Sequence, residues 1–189
     1  YNGEANPPTL VAGMYYAANI LTYSEEKDEA DHLSRVYTDF FGRTIMKEVQ
    51  TSATTWNRTY FIYDDLGNLC IILPPEAVAN IAGLTGGATA QKQAFLDKWA
   101  FQNVYDGFQR LIKKKLPGTG VGWEYFVYDQ WDRLVLSQDA VQRKTNEWSF
   151  VKYDVFNREI MSGVFTTAST HASLQITVQA GSGRFENPA

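Results

Sequence analysis

The chain has 189 residues, 44% of them apolar, with 17 basic against 21 acidic side chains for a formal charge of −4. That is enough apolar content for one packed domain or an array of small units, and the acidic balance offers nucleic acid or an anionic membrane no electrostatic footprint. Cys70 is the one cysteine, which excludes an internal disulfide framework, and no stretch nears the roughly 18 apolar residues of a membrane span.

The first stretch, residues 1–35, reads as a lead-in. Tyr1, Asn2, Gly3 and Glu4 lack a basic flank followed by an apolar run, so no signal peptide is expected in this segment. A start on Tyr1 without an initiator Met, and a polar end, suggest a piece of a longer chain with room for a targeting signal upstream. Glu25 to His32 is charge-rich and reads as a surface loop or helix start, more a solvated acidic run than a calcium cage of Asp28, Glu29 and Asp31, which lacks the spaced ligands and the Gly.

Residues 36–165 carry an internal repeat. One pattern recurs five times: an aromatic-rich run, an Asp, two residues, a turn-former, usually an Arg, then an apolar run. The turns begin at Asp39, Asp64, Asp106, Asp129 and Asp154, spaced 25, 42, 23 and 25 apart. Asp at the first position of a turn accepts hydrogen bonds from amides two residues on, and the fourth position favours positive φ, which suits Gly42, Gly67, Asp132 and Asn157 but not Gln109. The following position holds Arg43, Asn68, Arg110, Arg133 and Arg158. A type I turn followed by a left-handed residue is a common hairpin connection, so each copy predicts a β-hairpin, with upstream strands at Trp56 to Tyr63, Trp99 to Tyr105, Trp123 to Tyr128 and Trp148 to Tyr153.

The long interval holds Ala-rich, Gly-punctuated sequence. Pro75 opening and Gly83 closing predict a helix near Glu76 to Ala82, and after Gly86 and Gly87 a second near Ala90 to Asp97 with Thr89 as its cap, a helical insertion at about 75–97. Lys113, Lys114 and Lys115 alternate sides of a strand and read as a solubilising edge. Gly118 to Gly122 lies between two predicted strands and lacks the Lys-Ser/Thr of a phosphate loop, so it reads as a hairpin turn. Residues 166–189 form the last segment: Thr167 to Gln179 admits a helix, slightly preferred, or a strand, before a flexible Gly181 Ser182 Gly183 and Asn187 Pro188 end.

Tyr63 Asp64 with Gly67 Asn68 Leu69, Tyr128 Asp129 with Arg133 Leu134, and Tyr153 Asp154 with Arg158 resemble the Y-D-x-x-G-R-L unit of YD-repeat, or Rhs-like, proteins, over roughly Val36 to Phe165. Leu73 Pro74 Pro75 Glu76, Lys115 Leu116 Pro117 Gly118 and Asp139 Ala140 resemble linkers of a bacterial subgroup. The resemblance implies a β-ribbon that spirals into a hollow shell, in secreted or cell-surface proteins whose variable C-terminal part carries a toxin or effector. The self-cleaving segment that closes such shells has no counterpart here, and no catalytic residue carries over.

The predicted fold is therefore mainly β, a twisted antiparallel sheet of successive hairpins with a small helical insertion, and the predicted role is structural and not enzymatic. No metal or cofactor is expected: the two histidines, His32 and His171, stand far apart and one Cys makes no zinc motif. Ser182 sits in no strand-to-helix elbow. Five identical Asp residues favour turn capping over a glycosidase pair, which needs two different carboxyl environments once. The rival function is a carbohydrate-binding surface built from Trp56, Trp99, Trp123 and Trp148, which hold similar places in their units; against it stands an aromatic ladder in the sheet. The expected partners are neighbouring repeats, with self-association through unpaired strand edges and glycans as further candidates.

Overall fold

The computed structural model describes residues 21–29, 31–81, 88–118, 120 and 122–181. The readings placed on Tyr1 to Glu4, on Gly83, Gly86 and Gly87, on the full Gly118 to Gly122 turn (Thr119 and Val121), and on the tail from Ser182 fall outside them. The fold is mainly β. Eleven strands lie in chain order, each antiparallel to the next wherever the ladder is registered: β1 (Thr22–Lys27), β2 (Leu33–Thr38), β3 (Thr44–Gln50), β4 (Trp56–Tyr63), β5 (Leu69–Leu73), β6 (Phe101–Tyr105), β7 (Leu111–Lys115), β8 (Glu124–Tyr128), β9 (Leu134–Gln138), β10 (Glu147–Tyr153) and β11 (Glu159–Thr166). Helices α1 (Pro75–Asn80) and α2 (Thr89–Trp99) interrupt the ribbon after β5, and α3 (His171–Ala180) follows β11. The chain divides into two compact units: the first runs to Asn103, inside β6, and also takes in residues 116–119, and the second holds the rest.

In the first unit, alternate residues of β5 supply the core. Ile71 and Leu73 pack with Ala77 of α1, with Phe95 and Leu96 of α2, and with Ala100, while Tyr60, Ile62, Cys70, Val78, Ile81 and Trp99 close round them. This follows from the pleat, which sends every second strand residue to the same face. Pro75 opens α1 at a position where its missing N–H is not needed. Thr89 is the first helical residue of α2 and not its cap. Ala88 holds that place, and its amide donates 3.0 Å to the Gln91 side chain.

Two boundaries differ from the sequence reading. Glu25, Glu26 and Lys27 belong to β1, because Glu25 lies directly opposite Arg35 of β2 and takes its Nε at 2.6 Å; beyond them the Asp28 amide donates to the His32 carbonyl at 3.0 Å. Trp99 ends α2 and does not begin a strand; Ala100 alone, with φ −107° and ψ 146°, makes the change to β6.

In the second unit Val127 and Trp148 are fully buried. Trp148 and Tyr125 stack near the His171 ring, which lies 5.0 Å from Tyr125 and 6.4 Å from Trp148. Thr170 caps α3 by accepting the Ser173 amide, and this settles the helix against the strand alternative. His171 Nε2 meets the Phe126 carbonyl at 2.9 Å; Gln175 accepts the Tyr128 amide at 3.1 Å and donates to its carbonyl at 2.6 Å. The registered pairing of β7 with β8 covers Lys113 with Tyr125 and Lys114 with Glu124, so α3 serves β8 backbone groups beyond that stretch. The lysine run is no edge: β7 lies between β6 and β8, Lys115 is buried, and Lys114 pairs with Glu124 at 3.0 Å. Lys113, Lys114 and Lys115 set their ammonium groups over Tyr125, Phe126 and Trp123.

Candidate functional site

The five Asp turns share one geometry. The amide of each Asp donates to the carbonyl four residues on, and the amide three residues on donates back to the Asp carbonyl, at 2.9–3.2 Å. The fourth residue has positive φ in all five: Gly42 78°, Gly67 87°, Gln109 62°, Asp132 61° and Asn157 60°. Gln109 thus adopts the left-handed conformation that its side chain disfavours. Register shifts just before Thr38, Tyr63, Tyr128 and Tyr153 mark the bulge that goes with this turn.

Each carboxylate is fully used by its own turn. One oxygen accepts the amides two and four residues on at 2.8–3.0 Å, as in Phe41 and Arg43 on Asp39, or Trp131 and Arg133 on Asp129. The other accepts Nε of Arg43, Arg110, Arg133 or Arg158 at 2.7–2.8 Å; in the Asp64 turn Asn68 Nδ2 substitutes at 2.9 Å. Burial would raise Asp39, but Arg43 and the turn amides bring it below the usual carboxylate range; Asp64 goes the same way through Asn68. Asp154 is lowered first by the Arg158 amide and then by its guanidinium.

The arginine does a second job. Its guanidinium lies over the aromatic ring of its own turn, 5.0–5.2 Å from Phe41, Phe108, Trp131 or Phe156. A tyrosine from the next hairpin covers it too: Tyr63 over Arg43 at 5.1 Å, Tyr128 over Arg110 at 5.1 Å and Tyr153 over Arg133 at 4.9 Å. Each of these hydroxyls donates to the carbonyl of the residue right after the arginine, Thr44, Leu111 or Leu134, at 2.9–3.0 Å. Burial pushes Tyr128 and Tyr153 above the ordinary phenol range, which keeps the donated proton in place. Arg110 and Arg133 also reach the fourth residue of the following turn, Asp132 at 2.9 Å and Asn157 at 3.3 Å. Where Asn68 replaces the arginine, the Leu69 carbonyl accepts Asn103 Nδ2 instead, at 3.0 Å.

This arrangement joins hairpin to hairpin and engages both oxygens of each of the five turn-initiating carboxylates. In the sequence the arginine stands only as a structural member of the turn and the tyrosine only as part of a strand; their recurrence at fixed offsets is the available signal.

The four tryptophans do not share one setting. Trp56 starts β4 with the Arg35 guanidinium 4.5 Å above it, Trp99 ends a helix beside Lys98, Trp123 precedes β8 with its carbonyl taken by Arg143 Nη2, and Trp148 is 2% exposed inside β10. Cys70 is held near 11 by burial and then by Asp64, so it is a poor nucleophile.

No family model matches the sequence, and no curated protein matches it. Solved structures do. A crystal structure of TcdB2-TccC3-TEV aligns with 74% of this chain at a TM-score of 0.51 and 17% identity, and the Photorhabdus luminescens Tc holotoxin pore, with the TccC3-D651A mutation, with 79% at 0.52 and 16%. The chain spans 6% and 7% of those chains. The likeness establishes the fold alone, a mainly β array of successive antiparallel hairpins. No helix among the described residues is long and apolar enough to cross a membrane.

Proposed function

We propose that this chain is a wall segment of a larger Rhs-like shell, a scaffold that holds or encloses other parts of a toxin-type assembly outside the cell, and that it performs no catalysis of its own. The lock of arginine, tyrosine and backbone carbonyl carries this reading. It recurs three times with the same partners and distances, and each copy ties one hairpin to the next. A repeated contact between neighbours is what a stacked array needs, since its stability is a sum of unit and interface terms. A reaction site needs different groups gathered once. The likeness to parts of a toxin complex extends the proposal to export and to cargo.

Urea unfolding followed by tryptophan fluorescence tests the scaffold. Arg110→Ala should lower the midpoint of the whole second unit while leaving one cooperative transition. A glycan array with wild type and Trp123→Ala should show no Trp-dependent binding. Sugar binding lost in Trp123→Ala at unchanged stability would refute the scaffold reading in favour of a lectin-like surface.

A further inference from the structure

We infer that α3 is a releasable strap: it lets go of β8 and melts as one unit while the sheet beneath stays folded, baring an aromatic face built on Tyr125 and Trp148. Such a strap is independent of the scaffold role.

By itself α3 is a poor helix. It has 10 residues, short of the roughly 12–15 at which a helix is even marginal alone in water. Ile176, Thr177 and Val178 are β-branched, and beyond His171 the helix has no chargeable side chain, so no i,i+4 ion pair supports it. Its C-cap, Gly181, is extended at φ −66° and ψ 131° and not left-handed. Its helical state therefore depends on being docked.

The docking is polar and thin. No α3 residue is buried, and Ile176 is 69% exposed. His171 Nε2 sits 2.9 Å from the Phe126 carbonyl, Gln175 takes the amide and the carbonyl of Tyr128, and Gln130 Nε2 donates 2.7 Å to the Gly181 carbonyl. On release water can replace each of these partners, so no polar group is left orphaned. The Thr167 amide stays tied to the Asn146 carbonyl at 2.9 Å, which puts the hinge at Ala168 to Thr170. Meanwhile the β8–β9, β9–β10 and β10–β11 ladders and the locks of Arg110 and Arg133 make no use of α3.

Beneath α3 lies the face that release uncovers. The His171 ring stacks on Tyr125 and Trp148, and Trp148 is 2% exposed. Val127, fully buried, stands two residues from Tyr125 and so shares its side of β8.

Acid favours release. Burial holds His171 below 6.5, the Phe126 carbonyl works against this and Lys113 adds to it, so the released ring takes up a proton more readily than the docked one. The charges that face it are cations: Lys113 of β7 and Arg143 of the helical turn Gln142–Thr145, 5.8 and 4.6 Å from the Tyr125 ring. Glu124 and Glu147 precede Tyr125 and Trp148 in their strands and point to the opposite face. No carboxylate on this side therefore stabilises a docked imidazolium.

Native-state hydrogen exchange of the whole chain, read by NMR at low urea, tests the strap. The amides of Leu174 to Ala180 and of Tyr128 should share one opening, with protection about tenfold or more below that of Ser149 and Phe150 in the β9–β10 ladder. Gln175→Ala removes both bonds to Tyr128 and should lower α3 protection about tenfold further, leaving the β9–β10 ladder unchanged. In a chain labelled with fluorotryptophan, the Trp148 signal should move toward its solvent value in that variant. From pH 7.5 to 5.5, after correction for intrinsic exchange, α3 should open more often in wild type and equally often in His171→Gln. A single opening shared by α3 and the β9–β10 ladder would overturn the strap. So would protection that fades stepwise inward from Ala180, which is end fraying, or an α3 with no protection at all. An unmoved Trp148 signal beside faster α3 exchange would mean that the face stays covered, and an opening blind to pH would remove His171 from the anchors; either result overturns the proposal. The wild-type exchange and its pH dependence decide the matter even where Gln175→Ala fails to fold.

Discussion

Tyr128 completes the turn of the hairpin before its own: its ring lies 5.1 Å from the Arg110 guanidinium, and its hydroxyl donates 3.0 Å to the carbonyl of Leu111, the next residue in the chain after that arginine. One side chain therefore shields a charge and satisfies a backbone acceptor in a neighbouring hairpin. Phenylalanine could do the first of these only.

Tyr128→Phe should destabilise by about 1 kcal/mol, one net hydrogen bond. A double-mutant cycle of Arg110→Met and Tyr128→Leu in urea should give a coupling of about 0.5–2 kcal/mol, the range for a partly desolvated cation–π pair. Additive losses would show that ring and guanidinium are merely adjacent.

Asp129→Ala should cost more, about 3 kcal/mol, because it strands two turn amides and removes the carboxylate partner of the half-buried Arg133 guanidinium. Chemical denaturation at neutral pH measures it. An accompanying Arg133→Met should recover part of the loss. A loss under 1 kcal/mol would mean that the turn holds without its carboxylate.

Gln109→Gly should stabilise by about 1 kcal/mol, the cost of a left-handed non-glycine residue. Gly67→Ala should do the reverse, since its φ is 87°. Thermal melts of the two variants, moving in opposite directions, are the check.

The Asp turns were legible in the sequence because all their chemistry lies within five consecutive residues. The lock was not, since Arg43 and Tyr63, or Arg133 and Tyr153, belong to different hairpins and meet only once the strands are registered. The start of β6 was hidden for a local reason: Ala100 is neither Gly nor Pro, and nothing in it signals the end of α2. Lys113 to Lys115 look like an edge in isolation, and their true place depends on β8 arriving on one side. In α3, the β-branched Ile176, Thr177 and Val178 left two readings open, which the Thr170 cap and the hold of His171 and Gln175 on β8 decide.

His171 gives the fold a pH dependence of definite sign. Burial lowers it from 6.5, the Phe126 carbonyl opposes this, and Lys113 on β7 lowers it further; Arg143, over Tyr125, adds a cation nearby, and α3 itself carries no other charge. The unfolded chain therefore binds a proton more readily than the folded one as pH falls through 6.5. The stability this contributes is full above 6.5 and declines below it, until the folded His171 is itself protonated. NMR titration should find His171 below 6.5, and Lys113→Met should raise it. Amide exchange protection at Tyr128, held by Gln175, should drop between pH 7.5 and 5.5 in wild type and stay level in His171→Gln.

Because every described strand's ladder neighbour is its neighbour in the chain, the sheet itself needs no closure longer than the one across α1 and α2 between β5 and β6. Such low contact order favours fast folding. A ribbon of this kind can form progressively as it leaves the ribosome, each new hairpin using the one already made as its template.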